Sequence, residues 1–501
     1  MAPLDLISNA RPVEAHRPWP RAIVRDDGWH AAIDHLEAGA LTLLGLWGDA
    51  GAVHMAVLDA RAKIAVLTYP CGNGRYPSVG ARHPPALRLE RAIRDLFGLD
   101  AVGSPDTRPW LDLGFWDVAH PLGAEAPAQP AAPYAFLPAE GEALHQIPVG
   151  PVHAGIIEPG HFRFTAAGEH VVRLEQRLGY VHKGIEKLMQ GATLGDAAKL
   201  AGRTSGDSTV AYAYAFAQAA EAALLVTAPP RATFLRALMA ELERLANHFG
   251  DIGAICNDAS FALIHAQCGI LRERTLRAAQ ICFGHRLMMD AIVPGGVARD
   301  LTAQGPEALR ALRNEVRKIF PRLTAIYDST ASLQDRTVTT GIVNAEYARR
   351  FGAGGYVGRA SGRDFDARRA LRYAPYDQLA FEVPVLETGD VDARVRIRIS
   401  EVEQSLALIE QILAQLPAGD IRVALDAKPP AREGIALAEA FRGDVLVWLR
   451  LDDAGRVARC HLRDTSWFQW PLLETAIEGN IVADFPLCNK SFNCSYSGHD
   501  L

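Results

Sequence analysis

Paired cysteines are missing from this sequence. Its seven cysteines (71, 256, 268, 282, 460, 488 and 494) are scattered and odd in number, and no two stand as Cys-x-x-Cys. That usage belongs to a reducing compartment rather than to a disulfide framework. Cys488 and Cys494 have five residues between them, which is wrong for a tetrahedral metal clamp. A basic surplus is missing too: the net charge is -6, which disfavours nucleic acid as a partner. No apolar run is long enough to span a membrane. The most apolar stretch, Tyr212 to Val226, is alanine-rich and broken by Gln218 and Glu221, short of the ~20 residues a span requires. The start, Met-Ala-Pro-Leu-Asp, has neither the basic opening nor the apolar run of a signal peptide. Beyond one Pro/Ala stretch there is no repeat or low-complexity block.

What is present suits a large globular protein. The chain has 501 residues, 49% hydrophobic and 22% charged, enough for two or three domains with sizeable cores. Residues 1–120 read as a small α+β domain. Ala52 to Asp59 and Lys63 to Tyr69 predict a strand hairpin. Pro84-Pro85 opens a helix that stops at Gly98. Residues 121–140, rich in proline and alanine, read as a linker, and 141–501 as a second, mainly helical domain. There, Val171, Leu174, Leu178, Val181, Ile185 and Leu188 step by three and four, predicting one helix from Gly168 onward. Leu235 to Phe249 predicts another, ending at Gly250. Val391–Ile399, Ile421–Leu425, Gly443–Leu449 and Arg456–Leu462 predict a peripheral sheet. Gly352-Ala-Gly354-Gly355 lacks the third glycine of a dinucleotide loop and reads as a turn.

Several ordered motifs carry a resemblance. Tyr76-Pro77-Ser78-Val79, His83-Pro84-Pro85-Ala86, Glu90-Arg91, Asp95-Leu96-Phe97-Gly98 and Pro105-Asp106 to Trp110 resemble the 30-kilodalton subunit of respiratory complex I. Gly150 to Gly155, Glu158 to Arg163, His182-x-Gly184-x-Glu186-Lys187, Glu241-x-x-Arg244-x-x-Asn247-His248 and Gly358 to Arg368 resemble its 49-kilodalton subunit and the related energy-converting hydrogenases. The fusion resembles the large subunit of formate hydrogenlyase and hydrogenase-4. Arg203-x-Ser205-Gly206-x-Ser208 follows the outline of Arg-x-Cys-Gly-x-Cys, which opens the nickel-iron site of that family. Ser491 to Leu501 lies over the closing motif and puts Ser495 and Gly498 at its cysteines.

The resemblance implies the fold and the site. The expected fold is α+β: a complex I 30-kilodalton-like domain followed by a mainly helical, nickel-iron hydrogenase large-subunit-like domain with peripheral β-sheet. A nickel-iron centre needs soft thiolates, and Ser205, Ser208, Ser495 and Gly498 offer none, so no metal is expected and these four positions read as vestigial. The family match implies a proton-relay role for Glu186, whose alternative is a surface pair with Lys183 or Lys187. Asp207 and Arg203 join it as candidate catalytic residues, the carboxylate as a proton carrier. His153, His182, Tyr212 and His499 are the candidate quinone or cavity residues. The tyrosine that complex I offers to quinone falls at Gly206 here, leaving Tyr212 or Tyr180 to substitute.

The resemblance further implies an oxidoreductase subunit that works only within a complex. It holds no cofactor directly, passes electrons from a partner iron-sulfur small subunit to a quinone-like acceptor, and couples this to ion movement through complex I-like membrane subunits. Its expected place is peripheral, on the cytoplasmic face of the membrane. The alternative is a non-catalytic coupling or assembly subunit; an active nickel-iron hydrogenase ranks last.

Overall fold

The computed structural model describes residues 3–8, 10–128, 130–153, 155, 157–425 and 432–501. The N-terminal part is built on a five-stranded sheet in the order Arg11–Pro12, Arg21–Ile23, Ile64–Pro70, Ala52–Leu58, Thr42–Asp49. Its middle is the expected hairpin, with Leu58 opposite Ile64. The strands are apolar on both faces because both are covered. One face packs under the helices Asp26–Glu37 and Leu87–Phe97. The other carries Trp47, Ala56 and Val66 against Ile435, Leu446 and Trp448 of a second sheet. Leu87–Phe97 follows Pro84-Pro85 and stops at Gly98 in the left-handed conformation, as its sequence signals predict.

The second sheet joins the ends of the chain. Its order is Val457–Arg463, Asp444–Leu451, Glu433–Glu439, His16–Arg17, the last pair parallel. Its far face is covered by the helix Thr209–Leu224, whose alanines let it lie directly on the strands. A side chain at Gly434 would meet the Ala219 carbonyl at 1.8 Å. Beyond this helix stands a helical layer made of Pro230–Asp258, Ala262–Phe283, Gly305–Ser329 and Val391–Gln415. Among the described residues, no helix is long and apolar enough to cross a membrane.

Four local expectations are corrected. Residues 168–188 are not one helix: His170–Arg177 is a strand in a three-stranded sheet with Leu144–Val149 and His161–Ala167, and the helix is only Ile185–Met189. Gly179 and Gly184, both at positive φ, turn the chain between them, and pairing with residues 161–167 overrides the helical spacing. Val391–Ile399 is helical, not extended: Asp390 caps Val391–Gln415 by accepting from the Ala393 N–H at 2.8 Å. Ile421–Leu425 forms no strand, only a bridge from Arg422 to Gly296. The helix expected to end at Gly250 continues to Asp258. Gly250 and Gly253 instead serve helix packing, where added side chains would crowd Arg272 and the His265 backbone.

Candidate functional site

The C-terminal segment Asn493–Leu501 threads the middle of the molecule and collects the motif residues around it. Ser495 and Ser205, 290 positions apart, place their hydroxyls 3.0 Å from each other. Ser205 donates to Asp207 Oδ1 at 2.6 Å, and Ser208 donates to the same oxygen at 3.1 Å. Gly498 N–H donates to Ser495 Oγ at 2.8 Å. The four positions that the sequence marks as former metal ligands therefore do converge.

The convergence is filled by an ion pair. Arg442 Nη2 donates to Asp207 Oδ2 at 2.6 Å, and its Nη1 to Ser208 Oγ at 3.3 Å. Burial pushes the Asp207 carboxyl up, but the Arg442 guanidinium outweighs it and holds the acid below the usual carboxylate range. Tyr212 is fully buried and donates to Asp464 Oδ2 at 2.8 Å. Burial and the adjacent carboxylate push its phenol well up.

This donor set does not fit a nickel-iron centre. Three of the four positions give hydroxyls and the fourth gives nothing, and a fixed guanidinium stands where a cation would have to enter. The remaining thiols are spoken for elsewhere: Cys494 faces Gln469 at 3.9 Å, and burial pushes Cys488 up to about 11. A side chain at Gly498 would lie 2.6 Å from Asp464 Oδ2, so Asp464 occupies the space a ligand at 498 would use. Among the described residues, no cluster of three His, Cys, Asp or Glu side chains could hold a metal ion.

Asp207 reaches a cavity of about 200 Å³ shared with Glu243, Asn247, Arg272 and Arg286. Glu243, on the helix Pro230–Asp258, accepts from the N–H groups of Val210 and Ala211 at 2.7 and 3.1 Å, at the start of Thr209–Leu224. Burial pushes its acid up to about 8 against those two hydrogen bonds, so it holds its proton at neutral pH beside an ionised Asp207.

Glu186 belongs to a different cluster. It is buried, and the alternative of a surface pair with Lys183 or Lys187 is corrected. Its Oε1 accepts from His461 Nδ1 at 2.8 Å and from Leu462 N–H at 3.0 Å, and Arg459 pairs with Oε2 at 2.9 Å. Burial pushes the acid up, but Arg459 and His461 prevail and hold it near 2. The sheet strand 457–463 supplies all three partners. The His461 ring stacks on Trp47 at 5.1 Å, tying the cluster to the N-terminal sheet.

The other expected residues are distributed around the tail. His499 is buried, stacked on Trp467 at 4.0 Å, and bonded through Nδ1 to Asp500 Oδ1 at 2.8 Å. Asp500 accepts from Gly179 and Val181 N–H at 2.9 and 3.0 Å, and its carbonyl accepts from His182 Nδ1 at 2.7 Å. His153 lies in the loop after Leu144–Val149 and donates through Nε2 to the Gly160 carbonyl at 2.7 Å; Glu158 of the same loop accepts from Ser497 N–H at 3.0 Å. Arg203 stands apart: its side chain is 42% exposed and pairs with Asp290 at 2.6 Å. Tyr180 is exposed. Sequence reading missed Arg442, Asp464, Glu243, Arg459 and His461 as site residues. Only Glu243 carried a signal, as an acid inside a recognised motif.

Comparison with known proteins agrees with this architecture. The family described as the 30 Kd subunit of respiratory-chain NADH dehydrogenase matches residues 42–131. The family described as its 49 Kd subunit matches residues 264–429 and 422–500. Formate hydrogenlyase subunit 5 of Escherichia coli (strain K12) is 33% identical over 436 residues, covering 85% of this chain and 77% of that protein. Hydrogenase-4 component G of the same organism is 31% identical, with 85% and 76% covered. Among solved structures, a chain of the membrane-bound sulfane sulfur reductase, an archaeal respiratory membrane complex, superposes with a TM-score of 0.68 at 25% identity, covering 72% of this chain and 99% of that one. The convergent serine positions, the central helix and the threaded tail thus sit in a chain that belongs to the family of complex I-type subunits in which a 30-kilodalton-like and a 49-kilodalton-like region are fused, with formate hydrogenlyase subunit 5 and hydrogenase-4 component G among its relatives.

Proposed function

We propose that this chain is the large subunit of a membrane-attached, complex I-like oxidoreductase that works without a nickel-iron centre of its own, with residues 1–120 and 141–501 as its two domains. The observation that carries the reading is the replacement of a thiolate cage by the Asp207–Arg442 pair, with Glu243 lining the same cavity. Such a site can hold and release protons but cannot bind the metals.

In this reading a partner iron-sulfur subunit supplies two electrons to a quinone-like acceptor. Its two carbonyl oxygens each gain a proton as the ring becomes the hydroquinone. Glu243 delivers one proton to the acceptor, and Asp207 relays the second after taking it up from solvent as negative charge builds on the acceptor; solvent then reprotonates Glu243. His153, on a loop bonded to the tail through Glu158, is the candidate head-group donor, exchanging its Nε2–H bond to the Gly160 carbonyl for one to the acceptor, and Glu186 and His182 stand on the route toward the N-terminal domain. Attachment to the cytoplasmic face would come from membrane partner subunits, which also carry the ion movement.

The test is metal analysis of the complex purified without oxygen, with infrared spectra over the carbonyl and cyanide region and a quinone-reduction assay. Quinone reduction without nickel, and loss of it in Asp207→Asn with the complex intact, support the reading. Stoichiometric nickel with carbonyl and cyanide bands overturns it. A complex that assembles but reduces no quinone favours the coupling-subunit alternative.

A further inference from the structure

A second and larger cavity, of about 340 Å³, opens between the two domains. One side is the helix Leu87–Phe97 with Trp47 of the N-terminal sheet, and the other is the 182–187 segment with the end of the tail. We propose that this interdomain cavity is a binding site for a neutral, apolar small molecule that carries one hydroxyl or carbonyl oxygen.

Size and lining come first. The volume falls at the small end of ligand pockets, and the walls are mostly aliphatic and aromatic, which suits an apolar body.

The charge of the ligand follows from the charges in the wall, each of which already has a partner. Glu186 is neutralised by Arg459 and bonded to His461. Lys187 donates to the Pro121 carbonyl and to Glu125 at 2.7 and 2.9 Å, fastening the 121–125 segment beside the opening. Lys183 donates to the Thr204 carbonyl at 3.2 Å. Asp500 takes the Gly179 and Val181 N–H groups and His499. Of these cations only Lys183 lacks a carboxylate partner, and it is exposed to solvent, so a charged ligand would lose its hydration on entry with little charge pairing in return.

One polar atom is left for a neutral ligand. His182 donates through Nδ1 to the Asp500 carbonyl, which orients the ring, and the ring stacks on Trp116 at 4.8 Å. Nε2 has no protein partner among the described residues, and His182 lines the cavity. A neutral imidazole protonated on Nδ1 presents a lone pair at Nε2, which accepts from a hydroxyl; protonated, the same atom donates to a carbonyl. Trp116 is only half-buried and Val118 is exposed, which leaves a way in.

The experiment uses the full chain in its complex and two isosteric probes, 1-naphthol and naphthalene, followed by tryptophan fluorescence with isothermal titration. The expected result is saturable one-to-one binding of 1-naphthol, with naphthalene about tenfold weaker for want of one hydrogen bond. Ala92→Phe, which fills the cavity from the helix, should abolish binding of both, and His182→Leu should bring 1-naphthol down to the naphthalene level. Leu96→Trp fills the same space from another position should Ala92→Phe fail to fold. Non-saturable binding, equal affinity for the two probes, tighter binding of 1-naphthoate, or binding that survives both filling substitutions in folded protein overturns the proposal. No electron donor or acceptor enters these measurements, so their outcome is separate from that of the redox reading.

Discussion

Asp207 and Arg442, 235 positions apart, meet at 2.6 Å in the space where the family's outline calls for metal ligands. The contact is charge-assisted, and Arg442 is fully enclosed while Asp207 still reaches the adjoining cavity. One protein-made cation thus stands in for the charge of a bound one, and the fold survives the loss of its thiolates.

Removing either partner should therefore cost stability as well as function. Asp207→Asn leaves the guanidinium uncompensated and should destabilise by about 3 kcal/mol, the lower end for a buried pair because Asp207 is partly solvated. Chemical denaturation measures this. A double change, Asp207→Asn with Arg442→Met, should recover part of the loss, and a cost equal to the sum of the two singles would speak against direct coupling.

Glu186→Gln should destabilise by about 3–5 kcal/mol at neutral pH by stranding Arg459. The acid is held near 2 in the fold against an ordinary 4.5. Its contribution is present above 4.5 and lost as the pH falls toward 2. Thermal melts of wild type and variant should differ by a constant amount from pH 5 to 7 and approach each other in stronger acid.

Glu243 should show the opposite dependence. Its acid is raised from 4.5 to about 8, so the fold favours the protonated form. The stabilisation is complete below 4.5 and is lost as the pH rises through 8, at about 1.4 kcal/mol per pH unit between them. Glu243→Gln, which keeps a neutral side chain there, should remove this slope from denaturation curves taken between pH 5 and 8.

Gly498→Cys should fail to rebuild a ligand. The new side chain meets Asp464, which Tyr212 and the Ser466 N–H already hold, so a loss of about 1–3 kcal/mol is expected. Nickel binding measured by equilibrium dialysis should not rise.

The fold was legible where local signals and tertiary context agree. The hairpin at 52–70, the helix between Pro84 and Gly98 and the strands after 443 follow from turn residues and apolar runs that nothing contradicts. The helix at 391 was not, because Val391, Val395, Ile397 and Ile399 alternate as a strand would. Their helical state comes from the Asp390 cap and from Arg394 and Arg398 bonding Ser491 inside the core. The site was legible as positions but not as contacts. Ser205, Ser208, Ser495 and Gly498 meet as their register implies. Arg442 and Asp464, which decide what that meeting place can do, sit in a strand turn and a strand end, with no periodicity or motif to mark them.

The strand His16–Arg17 lies beside Glu433–Gly434 in the second sheet, and Arg21 pairs with Glu433 across 412 positions. Closing a loop of that length comes late in folding, because its entropy must be met before the contact stabilises anything. The last edge of the second sheet therefore waits for the first residues of the chain. Cutting between the two regions would do more than remove a neighbour: it would bare the hydrogen-bonding edge at Glu433–Gly434, a template for self-association. Joining the two regions in one chain supplies that covering strand at a fixed ratio of one to one.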